Sequence, residues 1–93
     1  MSETIFHKII KKEIPANIIH EDEHCIAFHD IQPVSPTHIL VVPKKTLPSL
    51  ADAVPGDEVL LGHMLLTVAS LARELGLADD GYRVVINTGK NGS

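Results

Sequence analysis

Flat side chains are scarce in this sequence. Its 93 residues hold no tryptophan, one tyrosine and two phenylalanines, an aromatic share of 3%. Phe6, Phe28 and Tyr82 are therefore each expected to serve packing or contact with a flat ligand. A single cysteine, Cys25, excludes an internal disulfide. The opening Met1-Ser2-Glu3-Thr4 lacks both a basic stretch and a long apolar run, so a reducing, cytoplasmic location is expected. No apolar run reaches the ~20 residues of a membrane span, and no membrane partner is expected. Basic residues are also few: eight Lys and Arg against twelve Asp and Glu, a net charge of −4. The lysines sit in short clusters (Lys8, Lys11, Lys12; Lys44, Lys45) and form no long face. That argues against a nucleic-acid partner held by phosphate neutralisation and favours a small, partly neutralised ligand. A chain this short buries only about 60–65% of its unfolded surface, so a single domain over 1–93 with a thin core is expected. There are no repeats and no low-complexity tract.

Apolar residues at 5, 6, 9 and 10 follow the i, i+3, i+4 spacing of a short amphipathic helix, which Pro15 ends because proline disfavours helix at the residue before it. Residues 17–20 and 25–29 read as two strands of a hairpin around the polar turn 21–24. Pro33, Ser35 and Pro36 break regular structure. The run His38-Ile39-Leu40-Val41-Val42 then suggests a strand buried on both faces, closed by Pro43. Residues 44–56 form a surface connection. Asp57 is the N-cap of the longest element, a helix over 58–75, with Gly76 as its C′ residue. Leu61, Leu65, Val68, Ala72 and Leu75 make one stripe on that helix, and Leu60, Met64 and Leu71 a second. The apolar arc is wider than one sheet contact needs, so a partner helix could cover the excess. Residues 82–87 predict a further strand, followed by a flexible loop over 88–93.

Period-two alternation puts Phe28 and Asp30 on one side of their strand. An aromatic surface beside a carboxylate suits a nucleoside: the ring borders the base, and the two oxygens accept both ribose hydroxyl protons. The plainer assignment makes Phe28 core and Asp30 the cap of the turn before Pro33. Both assignments stand at this level. His38, opening an apolar strand, and Asn87, at a strand end before a glycine-containing loop, also have plain structural readings. None of the six histidines (7, 20, 24, 29, 38, 63) lies two residues from another. The histidines show no metal-ligand spacing, and Cys25 reads as a small buried hydrophobe, so no metal and no cofactor are expected. The glycines at 89 and 92 lack the spacing and following helix of a phosphate-binding loop.

Several motifs in order carry a resemblance: Phe6-x-Lys8-Ile9-Ile10 with Glu13-Ile14-Pro15, Phe28-His29-Asp30-Ile31, Pro36-Thr37-His38 through Pro43-Lys44-Lys45, Leu61-Gly62-His63, and Gly81-Tyr82 through Asn87. Together they resemble histidine triad (HIT) proteins of the nucleotide-binding branch. The resemblance implies an α+β fold, with an antiparallel sheet of about five strands, one short and one long helix, and assembly as a homodimer. It implies that Asp30 and Ile31 contact the ribose, that Phe6, Ile14, Phe28 and Leu40 line the base pocket, that Asn87 lies near the phosphate, and that His38 supports the triad. The implied reaction is hydrolysis of a nucleoside 5′-phosphoramidate or related purine nucleotide. The middle histidine of a His-x-His-x-His strand attacks the α-phosphorus, a nucleotidyl-histidine forms, and water releases the monophosphate. A strand supplies that geometry because i, i+2 and i+4 project from one face. No such triplet occurs in these 93 residues. The domain is therefore expected to be incomplete at its C-terminus, the gene to continue by roughly 20 residues or more, and the chain alone to be inactive. The alternative is a nucleotide-binding or interaction protein that acts as a dimer without catalysis. Thr46, and Thr4 with His7, stand where relatives carry zinc-ligating residues, which again predicts no metal.

Overall fold

The computed structural model describes residues 5–12, 16–30 and 37–92. Contacts divide the chain into two compact units, Met1–Lys45 and Thr46–Ser93.

In the first unit a short helix, α1 (Ile5–Ile10), precedes three antiparallel strands, β1 (Ile18–Glu21), β2 (Cys25–His29) and β3 (Ile39–Pro43), in spatial order β1-β2-β3. The helix ends where Lys12 adopts a left-handed φ of 64° and donates its N–H to the Ile9 carbonyl at 3.0 Å. The central strand supplies the core. Ile26 is fully buried and packs with Phe28 and with Ile9 of α1, while Ile10, Ala16, Ile18, Leu40 and Val42 close around them. Burying side chains of this size contributes about 1.5–3 kcal/mol each. The apolar spacing of α1 is thus accounted for on the face that carries Ile9.

One irregularity decides which side chains share a face. Ile18 pairs with Phe28, but His20 pairs with Ala27 and Glu21 with Ile26, so a bulge falls at Ile19. A bulge adds one residue to one strand and reverses the facing of the residues beyond it. Ile18 therefore stays on the Ile26–Phe28 core side, while His20 and Asp22 join Cys25 and Ala27 on the other. The turn closes through Asp22, whose Oδ1 accepts the N–H groups of His24 (2.8 Å) and Cys25 (2.9 Å). This is an Asx-type turn.

The third strand departs from its expected burial. Every residue of β3 is half-buried. Among the described residues it lies at one edge of the three-stranded sheet, and a continuous apolar run does not distinguish an edge strand from a central one. The expectation of burial on both faces is met by β2, whose first four residues are all buried.

In the second unit, short 3-10 turns at Leu50–Asp52 and Pro55–Asp57 lead into α2 (Glu58–Glu74). Asp57 stands at the N-cap, yet its side chain caps the preceding turn instead, with Oδ2 accepting the Val54 N–H at 3.0 Å. The C-terminus is as expected: Gly76 takes φ 74°, Leu77 N–H donates to the Ala72 carbonyl at 2.8 Å and Gly76 N–H to that of Arg73 at 3.2 Å. That pair of bonds is a Schellman motif. Thr67, Leu71 and Ala72 are buried, and Val59, Leu65 and Leu66 are exposed.

Residues 82–87 are a correction to the expected strand. They form no regular element, and Tyr82, Val84, Val85 and Ile86 are all exposed. A strand exists only in a hydrogen-bonded ladder, and among the described residues this segment has none. The overall class is α+β, with an antiparallel sheet, one long helix and short ones.

Candidate functional site

The pairing of β2 with β3 places Phe28 opposite Leu40. Continuing that register past His29 and Ile39 sets Asp30 opposite His38, and the Asp30 N–H indeed donates to the His38 carbonyl at 2.9 Å. Residues directly opposite share a face, as do residues two apart on one strand. Phe28, Leu40, Asp30 and His38 therefore lie on one face of the β2–β3 pair. Of the expected pocket, this much is brought together.

The two polar members meet at the end of that face. Asp30 Oδ2 lies 3.1 Å from His38 Nδ1, with the side chains 22% and 33% exposed. His38 Nδ1 is itself buried and makes no well-aligned hydrogen bond, so the approach to the carboxylate is close but off-line. A proton carried on Nδ1 would face this carboxylate, and Nε2 would then be an acceptor.

The other expected residues fall elsewhere. Phe28 is 3% exposed and belongs to the core cluster, in line with its plainer assignment, while Leu40 packs against that cluster from β3. Phe6 lies in α1, with its side chain outside the described residues, as are Ile14 and Ile31. Asn87 belongs to the second unit, where it is exposed. The Gly92 backbone passes so close to it that a Cβ at Gly92 would lie 3.3 Å from the Asn87 Cα.

Two further groupings are not evident from the sequence. Glu21 is gripped by Lys12 through Oε1 and by Lys44 through Oε2, the latter at 2.8 Å. These hydrogen bonds, Lys12 first, hold its carboxyl below the ordinary range. Beside them, His20, Asp22 and Cys25 bring an imidazole nitrogen, a carboxylate oxygen and a thiol within 4.8 Å of one another. The spacing His-x-Asp-x-x-Cys does not by itself mark this group, because a hairpin turn accounts for the same residues. Among the described residues, no helix is long and apolar enough to cross a membrane.

Comparison with known proteins agrees with this architecture. The HIT domain profile matches residues 11–93. An uncharacterised HIT-like protein of Synechococcus elongatus is 54% identical over 93 residues, covering 99% of this chain and 81% of that protein. A protein of Escherichia coli named purine nucleoside phosphoramidase is 44% identical over 90 residues, covering 97% of this chain and 76% of the relative. Among solved structures, a HIT family hydrolase from Legionella pneumophila superposes with a TM-score of 0.94 at 40% identity, over 98% of this chain and 81% of that one. With a profile spanning most of its length and relatives of this identity, the chain belongs to the HIT family.

Proposed function

We propose that this chain is the nucleoside-binding part of a purine nucleotide hydrolase acting on nucleoside 5′-phosphoramidates or related nucleotides. The observation that carries the reading is the Asp30–His38 pair at the end of the face that also carries Phe28 and Leu40. A carboxylate at such a position can accept two adjacent hydroxyl protons, which is what a ribose offers. The 44% identity to the E. coli phosphoramidase supports the same class of substrate. Phe6, Ile14, Phe28 and Leu40 would border the base, Asp30 and Ile31 the ribose, and Asn87 the phosphate. His38 takes a supporting role.

The parent reaction forms a phosphorus–nitrogen bond to a histidine as the amine leaves with a proton. Water then breaks that bond and releases the monophosphate. A nucleophilic histidine flanked at i−2 and i+2 is needed for this route, and none of the six histidines here is so placed. The chain alone therefore binds without turning over. We further propose that it acts as a cytoplasmic homodimer. The exposed Val59, Leu65 and Leu66 of α2 support this, because a two-fold contact is the commonest way to cover such a face.

Release of amine from an adenosine 5′-phosphoramidate is the test, with adenosine monophosphate affinity measured in parallel. The expected result is binding with no turnover. Turnover near that of an intact relative would overturn the mechanism and make His38 the first residue to replace.

A further inference from the structure

We propose that the β1–β2 hairpin carries a binding site for a zinc-like divalent cation, formed by His20, Asp22 and Cys25. The three donors come from different elements of the hairpin: the end of β1, the turn, and the start of β2. The bulge at Ile19 is what brings them together. Had β1 kept the register of its first pair, His20 would sit opposite Ile26, and Cys25 would face away from both His20 and Asp22. The shifted register puts all three on the side opposite the core.

The geometry is close to that of a coordinated ion. Tetrahedral zinc binds imidazole and carboxylate at about 2.0–2.2 Å and thiolate at about 2.3 Å, which separates the donor atoms from one another by roughly 3.3–3.6 Å. Here His20 Nε2 and Asp22 Oδ2 are 2.8 Å apart, and Cys25 Sγ and Asp22 Oδ2 are 3.9 Å apart. Shifts of about half an ångström bring these two pairs to coordination distances, and the third pair, already within 4.8 Å, closes by at most about 1.3 Å. Asp22 is already oriented: its Oδ1 is held by two backbone N–H groups, and that leaves Oδ2 as the atom directed at His20 and Cys25. The mixture of nitrogen, oxygen and sulfur donors favours zinc over calcium or magnesium, which take oxygen alone. Cys25 is fully buried, while the His20 and Asp22 side chains are 35% and 26% exposed, so the ion enters from their side. Three protein ligands leave one position for water.

The protons balance simply. In the metal-free hairpin His20 Nε2–H donates to Asp22. On binding, that hydrogen is lost from Nε2, the ring carries its proton on Nδ1, and the Cys25 thiol gives its proton to solvent. Binding therefore releases the thiol proton to solvent, and affinity falls as pH drops. The bound ion would tie β1 to β2 across the turn. It involves none of the residues assigned to nucleotide binding.

Cobalt(II) is the probe, titrated alone into the whole chain. Cys25 is the only cysteine, so a sulfur-to-cobalt charge-transfer band in the near ultraviolet reports this thiolate and no other. The expected result is a saturable band of one equivalent that zinc displaces, weakened at least about tenfold in affinity by His20→Gln and by Asp22→Asn. Cys25→Ser should abolish the band. In Asp22→Asn the amide oxygen can still accept the two turn N–H groups, so the circular dichroism of this variant should match the parent, and weakening of its band is then not loss of fold. Absence of a band in the parent chain, or a band equally strong in both the His20 and Asp22 variants, would overturn the site.

Discussion

Asp30→Asn removes one negative charge and almost no volume, which makes it a sharp probe of the ribose assignment. A hydrogen bond to a charged group contributes about 1.5–3 kcal/mol. Two ribose hydroxyls would double that, but Asp30 is 22% exposed and its Oδ2 already lies 3.1 Å from His38 Nδ1. Part of the charge is thus screened or already engaged, and the net loss should be about 1.5–3 kcal/mol in total, or roughly 10- to 150-fold in Kd at 1.4 kcal/mol per tenfold. The loss should be smaller for a 2′-deoxynucleotide, which lacks one of the two hydroxyls. Calorimetric titration with adenosine monophosphate and its 2′-deoxy form, on parent and variant, measures four affinities and hence the difference of differences. Thermal melting of both proteins by circular dichroism separates binding from folding. Equal weakening of the two nucleotides, or no binding of either by the parent chain, would refute the reasoning.

The Glu21 clamp makes stability depend on pH in a definite direction. Its folded pKa is lowered from 4.5 by Lys12 and Lys44, so the contribution is complete above the unfolded value and is lost as pH falls through the lowered one. Glu21→Gln should therefore lower Tm at neutral pH, with a difference from the parent that shrinks below about pH 4.5. A difference that stays constant down to about pH 2 would show that the carboxylate charge is irrelevant. The dimer is tested by light scattering at micromolar concentration. The parent should show twice the chain mass and a Leu65→Glu, Leu66→Glu variant a single chain mass, whereas a monomeric parent would end that part of the proposal.

Local chemistry makes much of this fold legible. The hairpin follows from β-branched residues on either side of Glu21-Asp22-Glu23-His24, and the observed strands begin and end within a residue of their expected bounds. Gly76 is readable because only a residue tolerant of positive φ closes a helix in a Schellman motif. The features that escape a sequence reading depend on partners distant along the chain. Tyr82-Arg83-Val84-Val85-Ile86-Asn87 has good strand propensity, but a strand also requires a neighbour, and propensity does not supply one. Likewise Ile39-Leu40-Val41-Val42 reads the same at a sheet edge as at its centre. At the candidate site, alternation alone places Phe28 with Asp30. Setting His38 opposite Asp30 requires the β2–β3 register, and setting Cys25 beside His20 requires a bulge that no residue type marks.

That bulge also separates the two chemistries proposed for this unit. Along β2, Ile26 and Phe28 face the core, and the same face runs on to Asp30 and, across the ladder, to His38. Cys25 and Ala27 face the opposite way, with His20 and Asp22 beside Cys25. From Cys25 to Asp30 is five residues of extended chain, roughly 17 Å at 3.3–3.4 Å per residue. Charges that far apart are beyond the ~8–10 Å screening length of physiological salt, and substitutions at such a distance usually add. A cation on the hairpin would therefore leave the Asp30 carboxylate electrostatically undisturbed. The two sites share only the strand β2, the first through its register with β3 and the second through its register with β1. Without the extra residue at Ile19, either Ile18 would leave the core side or His20 and Asp22 would turn away from Cys25, since alternation permits both arrangements only across a one-residue slip.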